Sequence, residues 1–60
     1  MKRYKIVKTD SLQKGKIPEY LCRGGEIEKF GHPKIYNSFN KARHWIERTG
    51  NEGKFEIIEV

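Results

Sequence analysis

Sixty residues, a net charge of +5 and equal shares of apolar and charged residues, 35% each, leave room for one small domain (1–60) but hardly for a buried catalytic cleft. One cysteine, Cys22, excludes an internal disulfide and points to a reducing compartment. No apolar run approaches the roughly 20 residues that cross a bilayer, and no secretory h-region follows the basic start, so the expectation is a cytoplasmic protein without membrane contact.

The low apolar content leans toward disorder, but seven isoleucines and seven aromatics fall at patterned positions and argue for a compact fold. In chain order, RYKIVKTD reads as a strand stopped by Thr9-Asp10, with Tyr4 and Ile6 on one face and Arg3, Lys5 and Val7 on the other. SLQKGKIP, broken by Gly15 and Pro18, reads as a basic loop. EYLCRGGEIEKF offers two short β-runs around Gly24-Gly25. A two-residue turn there sets Arg23 opposite Glu26 and Cys22 opposite Ile27; a glycine bulge inside one longer strand is the competing reading.

SFNKARHWIERTG is the clearest helix, with Asn37 or Ser38 as the residue that accepts a bond from its first amides and Gly50 as its left-handed stop. Phe39, Ala42, Ile46 and Thr49 form its apolar stripe, with Trp45 at the edge. Arg43 and Glu47 can pair one turn apart. KFEIIEV closes the chain as a strand, Phe55 and Ile57 on one face and Glu56, Ile58 and Val60 on the other. The expected architecture is α+β: a three- to four-stranded antiparallel sheet with one α-helix packed on one face, ββαβ-like.

Two surfaces stand out. If Tyr4, Ile6, Tyr20, Cys22, Phe55 and Ile57 meet the helix, the opposite sheet face carries Val7, Leu21, Ile58 and Val60 among Arg3, Lys5, Arg23 and Glu56. A half-apolar face of that kind suits a dimer or another protein. The second surface is a basic ridge of Lys41, His44 and Arg48 beside Trp45, joined by the N-terminal lysines and Lys14 and Lys16. Its cations would neutralise phosphates and its indole would stack on a base; Trp45 as a core residue is the competing reading. Net charge over residues 1–16 is +5 and over 34–49 is +3, so both regions would draw anions.

Catalysis and metal binding find no support. Cys22, His32 and His44 are spaced as in no short chelating pattern, and no nucleophile stands in a recognisable relation to a base. No catalytic residue, metal ligand or cofactor is expected. At KIYNSFNKARHWIERTG and KFEIIEV, with YKIV as a fainter echo, the chain resembles very small phage and prophage proteins that combine a strand-like KIY, a Ser-capped helix and a closing IIEV strand. The resemblance implies a non-enzymatic protein, often homodimeric, that binds and disables a host protein such as an antiviral defence enzyme. The alternative function is a basic accessory protein that binds DNA or RNA through Lys41, His44, Arg48 and the N-terminal lysines.

Overall fold

The computed structural model describes residues 1–60. Strand β1 (Tyr4–Lys8) is central, with β2 (Tyr20–Leu21) on one side and β4 (Phe55–Glu59) on the other, and β3 (Ile27–Glu28) lies beyond β2. All pairings are antiparallel, and α1 (Phe39–Arg48) covers one face. This is the α+β arrangement that the patterning predicts.

The β1–β4 pair runs five residues without interruption, from Tyr4 opposite Glu59 to Lys8 opposite Phe55. Both strands keep the predicted faces: Ile6, Phe55 and Ile57 pack with the helix, and Lys5 and Ile58, partners in the ladder, lie on the other side by alternation. A ten-residue helix is marginal in water on its own, so α1 depends on this face. Ala42 and Ile46 are its buried residues, joined to Ile6 and Leu21 in one cluster that Trp45 and Phe55 edge. Arg43 and Glu47 pair as expected, exposed and 3.2 Å apart.

The helix begins at Ser38, whose backbone is extended (φ −138°, ψ 135°), but no side chain caps it there. The expected hydrogen bond from the first amides to the side chain of Asn37 or Ser38 is therefore not made. Its end follows expectation more closely. Gly50 takes φ +72°, its N–H donates to the Glu47 carbonyl, and the Asn51 N–H donates to the Ile46 carbonyl at 2.9 Å. Together these satisfy carbonyls that a helix end would otherwise strand.

The hairpin between β2 and β3 differs from both sequence readings. Its loop has three residues: the Gly25 N–H donates to the Cys22 carbonyl and the Cys22 N–H to the Glu26 carbonyl, with Gly25 at φ +94°. That geometry combines a β-turn with a glycine bulge. The register becomes Tyr20 opposite Glu28 and Leu21 opposite Ile27, one residue away from the pairing of Cys22 with Ile27. The faces of β2 are set by its pairing with β1, where Tyr20 stands opposite Val7, so Leu21 lies on the Ile6 side, enters the core, fully buried with Ile6, and does not belong to the outer face.

Tyr20 and Cys22 take the outer positions instead. Tyr20 stands opposite Val7, its hydroxyl donates to the Gly31 carbonyl at 2.7 Å and accepts from the Gly31 N–H at 3.0 Å, and the Lys5 ammonium lies 5.7 Å from its ring. Val7 is thereby buried although it faces away from the helix. The segment expected to be a plain loop begins as a short 3₁₀ turn, Thr9–Leu12. Ser11 fixes it: buried, it donates to the Lys8 carbonyl at 2.7 Å and accepts from the Glu19 N–H at 2.8 Å.

Removing Leu21's side chain therefore opens a cavity in the core. Leu21→Ala is expected to lower unfolding free energy by about 2–4 kcal/mol in urea titrations, whereas loss of under about 0.5 kcal/mol, as for an exposed residue, would contradict the register.

Candidate nucleic-acid interface

Residues 33–36 build the first wall of a groove beside α1. Lys34 donates its N–H to the Leu21 carbonyl at 2.9 Å, and Tyr36 exchanges two backbone hydrogen bonds with Tyr4, both 2.9 Å. This short stretch is thus fastened to the sheet at both ends, and Tyr36 also packs against the core. Its ring is presented at a fixed place, with the Lys34 ammonium 5.5 Å from the ring centroid.

The helix supplies the second wall. Asn40, Lys41, His44, Trp45 and Arg48 recur at helical spacing along one flank of the buried stripe. Trp45 is half-buried, meeting Phe55 edge to face with ring centroids 5.5 Å apart, so its inner edge is core while another part of the ring borders the groove. Tyr36 and Trp45, with Lys34, Asn40, Lys41, His44 and Arg48, line a shallow open groove of about 340 Å³.

No carboxylate lines that space. Lys34, Lys41 and Arg48 give it three cationic side chains, His44 and Asn40 add hydrogen-bonding groups, and the two aromatic rings offer apolar surface. Chemically, such a groove can neutralise phosphate oxygens and accept a flat ring against an aromatic face. Of the predicted ridge, Lys41, His44, Trp45 and Arg48 all come together here. The N-terminal lysines do not: Lys5 rests against Tyr20, Lys8 lines a separate mixed-charge depression with Asp10 and Glu19, and Lys16 lies in the loop beside Lys29.

The sequence reading missed Lys34, Tyr36 and Asn40. A signal existed, since Lys34 and Tyr36 alternate as strand residues of one face and Asn40 lies one turn before His44. What joins them is the pairing of Tyr36 with Tyr4, a contact across 32 positions of chain.

The residues foreseen as a protein interface are dispersed by the structure into different environments. Arg3, Arg23, Glu56 and Val60 are exposed, Lys5 and Ile58 are half-buried, and Val7 and Leu21 are buried. The exposed apolar content of the outer face is thus reduced to Ile58 and Val60. Cys22 is also buried under the turn at Gly31, whose Cα would carry a Cβ only 3.1 Å from the Cys22 Sγ. That burial pushes its thiol pKa up, and the Glu28 carboxylate adds to the effect.

No helix is long and apolar enough to cross a membrane. Compared with protein-family models, with curated proteins and with solved structures, the chain finds no match in any of the three.

Because the fold keeps the Cys22 thiol protonated, the unfolded chain releases that proton first as pH rises. Its stabilising contribution is whole below the ordinary thiol range and is lost as pH climbs above about 8.5 and through the raised folded value. Urea unfolding of the wild type should therefore lose stability more steeply in this alkaline range than unfolding of Cys22→Ala. Equal slopes would contradict the raised thiol.

Proposed function

We propose that the protein is a non-enzymatic, cytoplasmic binding module for single-stranded nucleic acid, which it holds in the groove between Tyr36 and α1. The observation that carries this reading is the convergence of Lys34, Lys41 and Arg48 on a space walled by Tyr36 and Trp45 with no acidic residue among its lining. Phosphates would lie against the three cations and a base against an aromatic ring. The groove's size suits one or two nucleotides rather than a duplex, and stacking tolerates any base. Overall charge of +5 would raise the encounter rate with a polyanion.

Three phosphate contacts to a single strand predict that log K falls against log salt with a slope of about −2. Fluorescence anisotropy with a labelled oligothymidine, from low to physiological salt, reads that slope. Lys41→Ala should weaken binding and flatten the slope by about 0.7, with no loss of fold because the residue is exposed. Absence of binding at low salt, or an unchanged slope in Lys41→Ala, would overturn the reading.

A second reading, occupation of a host protein's surface by a small phage-type inhibitor, is favoured by Phe30. Its side chain is 77% exposed on a turn that the Tyr20 hydroxyl grips through both polar groups of Gly31. A rigidly presented aromatic is the kind of anchor that fills a partner's pocket. It predicts a host protein retained by a tagged copy and lost with Phe30→Asp; equal recovery by both would sink it.

A further inference from the structure

The four-stranded sheet has two edges of different character. At one end β3 is only two residues long, a length that leaves little to pair. At the other end β4 runs five residues, FEIIE, without proline or lysine, and its uninterrupted register with β1 leaves no bulge. Shortness, lysine, proline and bulges are the usual means by which an edge strand is kept from pairing with another chain. The β4 edge has no proline, lysine or bulge and is five residues long; of the charged side chains that also serve this end it carries Glu56 and Glu59.

Hydrogen bonds that flank the β1–β4 ladder fix which backbone groups lie free. The Val60 N–H donates to the Arg3 carbonyl and the Thr9 N–H to the Lys54 carbonyl. Even-numbered residues of β4 therefore bond to β1, and by alternation the N–H and C=O groups of Phe55, Ile57 and Glu59 point away from it. On the opposite side of β1 the same alternation holds, since Tyr4 and Lys8 bond to Tyr36 and Glu19.

We infer that β4 pairs antiparallel with β4 of a second copy, about a two-fold axis at Ile57, joining two four-stranded sheets into one of eight strands. Self-complementarity selects this occupant and this register. With Ile57 opposite its own counterpart, Phe55 stands opposite Glu59 and Glu56 opposite Ile58, so all three free residues on each copy find both hydrogen-bond partners. No like charges stand directly opposite each other. Two-fold registers centred on Glu56 or Glu59 would oppose two carboxylates, which is destabilising, and one centred on Ile58 would leave Phe55 unpaired. Ile57 and Ile58 are each partly exposed, and pairing would cover more of both. A five-residue strand contact is smaller than a standard protein interface, so the dimer is weak, populated at high micromolar concentration. This inference stands independently of the nucleic-acid groove.

Proline at position 59 removes an outward N–H and none that bonds to β1, a placement that edge strands tolerate. In sedimentation equilibrium at several hundred micromolar the wild type is expected to populate dimer, and Glu59→Pro to weaken it at least about tenfold through loss of two of six interchain hydrogen bonds. Circular dichroism and urea unfolding of the variant at low concentration check that its fold is kept. Amide hydrogen exchange supplies a second measurement that needs no variant. The Ile57 and Glu59 amides should become protected as concentration rises, while the Ile58 amide stays protected throughout. A strict monomer, a dimer equally stable in Glu59→Pro, or Ile57 and Glu59 amides that exchange freely in the dimer would each overturn the proposal.

Discussion

The pairing of β2 with β1, Tyr20 opposite Val7 and the Lys8 N–H bonded to the Glu19 carbonyl, decides which face of β2 meets the helix, and most of the remaining structure depends on it. The hairpin from β2 to β3 turns at Gly25, whose left-handed backbone sets the register between those two strands. With three residues in the turn, Leu21 meets Ile27 across the pair, at the closer spacing of partners that do not exchange hydrogen bonds. Both then face α1. A slip of β2 by one residue against β1 would send Tyr20 and Cys22 under the helix and Leu21 out to solvent. The core would lose one of its three largest fully buried side chains, Leu21 beside Ile6 and Val7. A chain of this size, which buries only about 60% of its unfolded surface, has little with which to replace it.

The same register gives the outer face its cover. Tyr20, placed outward, lies beside Val7 and ties the turn at Gly31 through its hydroxyl, while that turn closes over Cys22. A sheet with one helix has no second layer for its far face, and here loops and one tyrosine shield part of it. The shielding is why Val7 is as inaccessible as the residues beneath the helix. It also shifts attention from the sheet face to the strand edge and the helix flank as surfaces open to partners.

Legibility in the sequence followed the length of each element. α1 was readable because ten residues hold a full helical period and a glycine marks the end; β1 and β4 were readable because five residues show alternation. β2 has two residues, too few for a period, and a Gly-Gly pair is compatible with turns of two or three residues. With no period to show the strand's faces and no sign of the pairing of Val7 with Tyr20, the sequence exchanged Leu21 with Tyr20 and Cys22. Ser11 could not be placed either, since a buried serine is understandable only once the Glu19 amide is known to lie beside it. In the groove, the helical half was visible as the ridge of Lys41, His44 and Arg48 beside Trp45. Lys34 and Tyr36 were not, because their position is fixed by hydrogen bonds to Leu21 and Tyr4 and by no local periodicity.

Trp45 unites structure and proposed function, since it closes the core against Phe55 and borders the groove with Tyr36. The indole is a core residue by its inner edge, and its outer part borders the groove where the proposed stacking would take place. A titration of isotopically labelled protein with a short single-stranded oligonucleotide, followed by amide and indole N–H chemical shifts, tests the central claim most directly. The account predicts that the Trp45 indole and the backbone amides of Lys34, Tyr36, Lys41 and Arg48 shift together and saturably. Shifts confined to the face of Lys5 and Ile58, or no shifts at low salt, would contradict it.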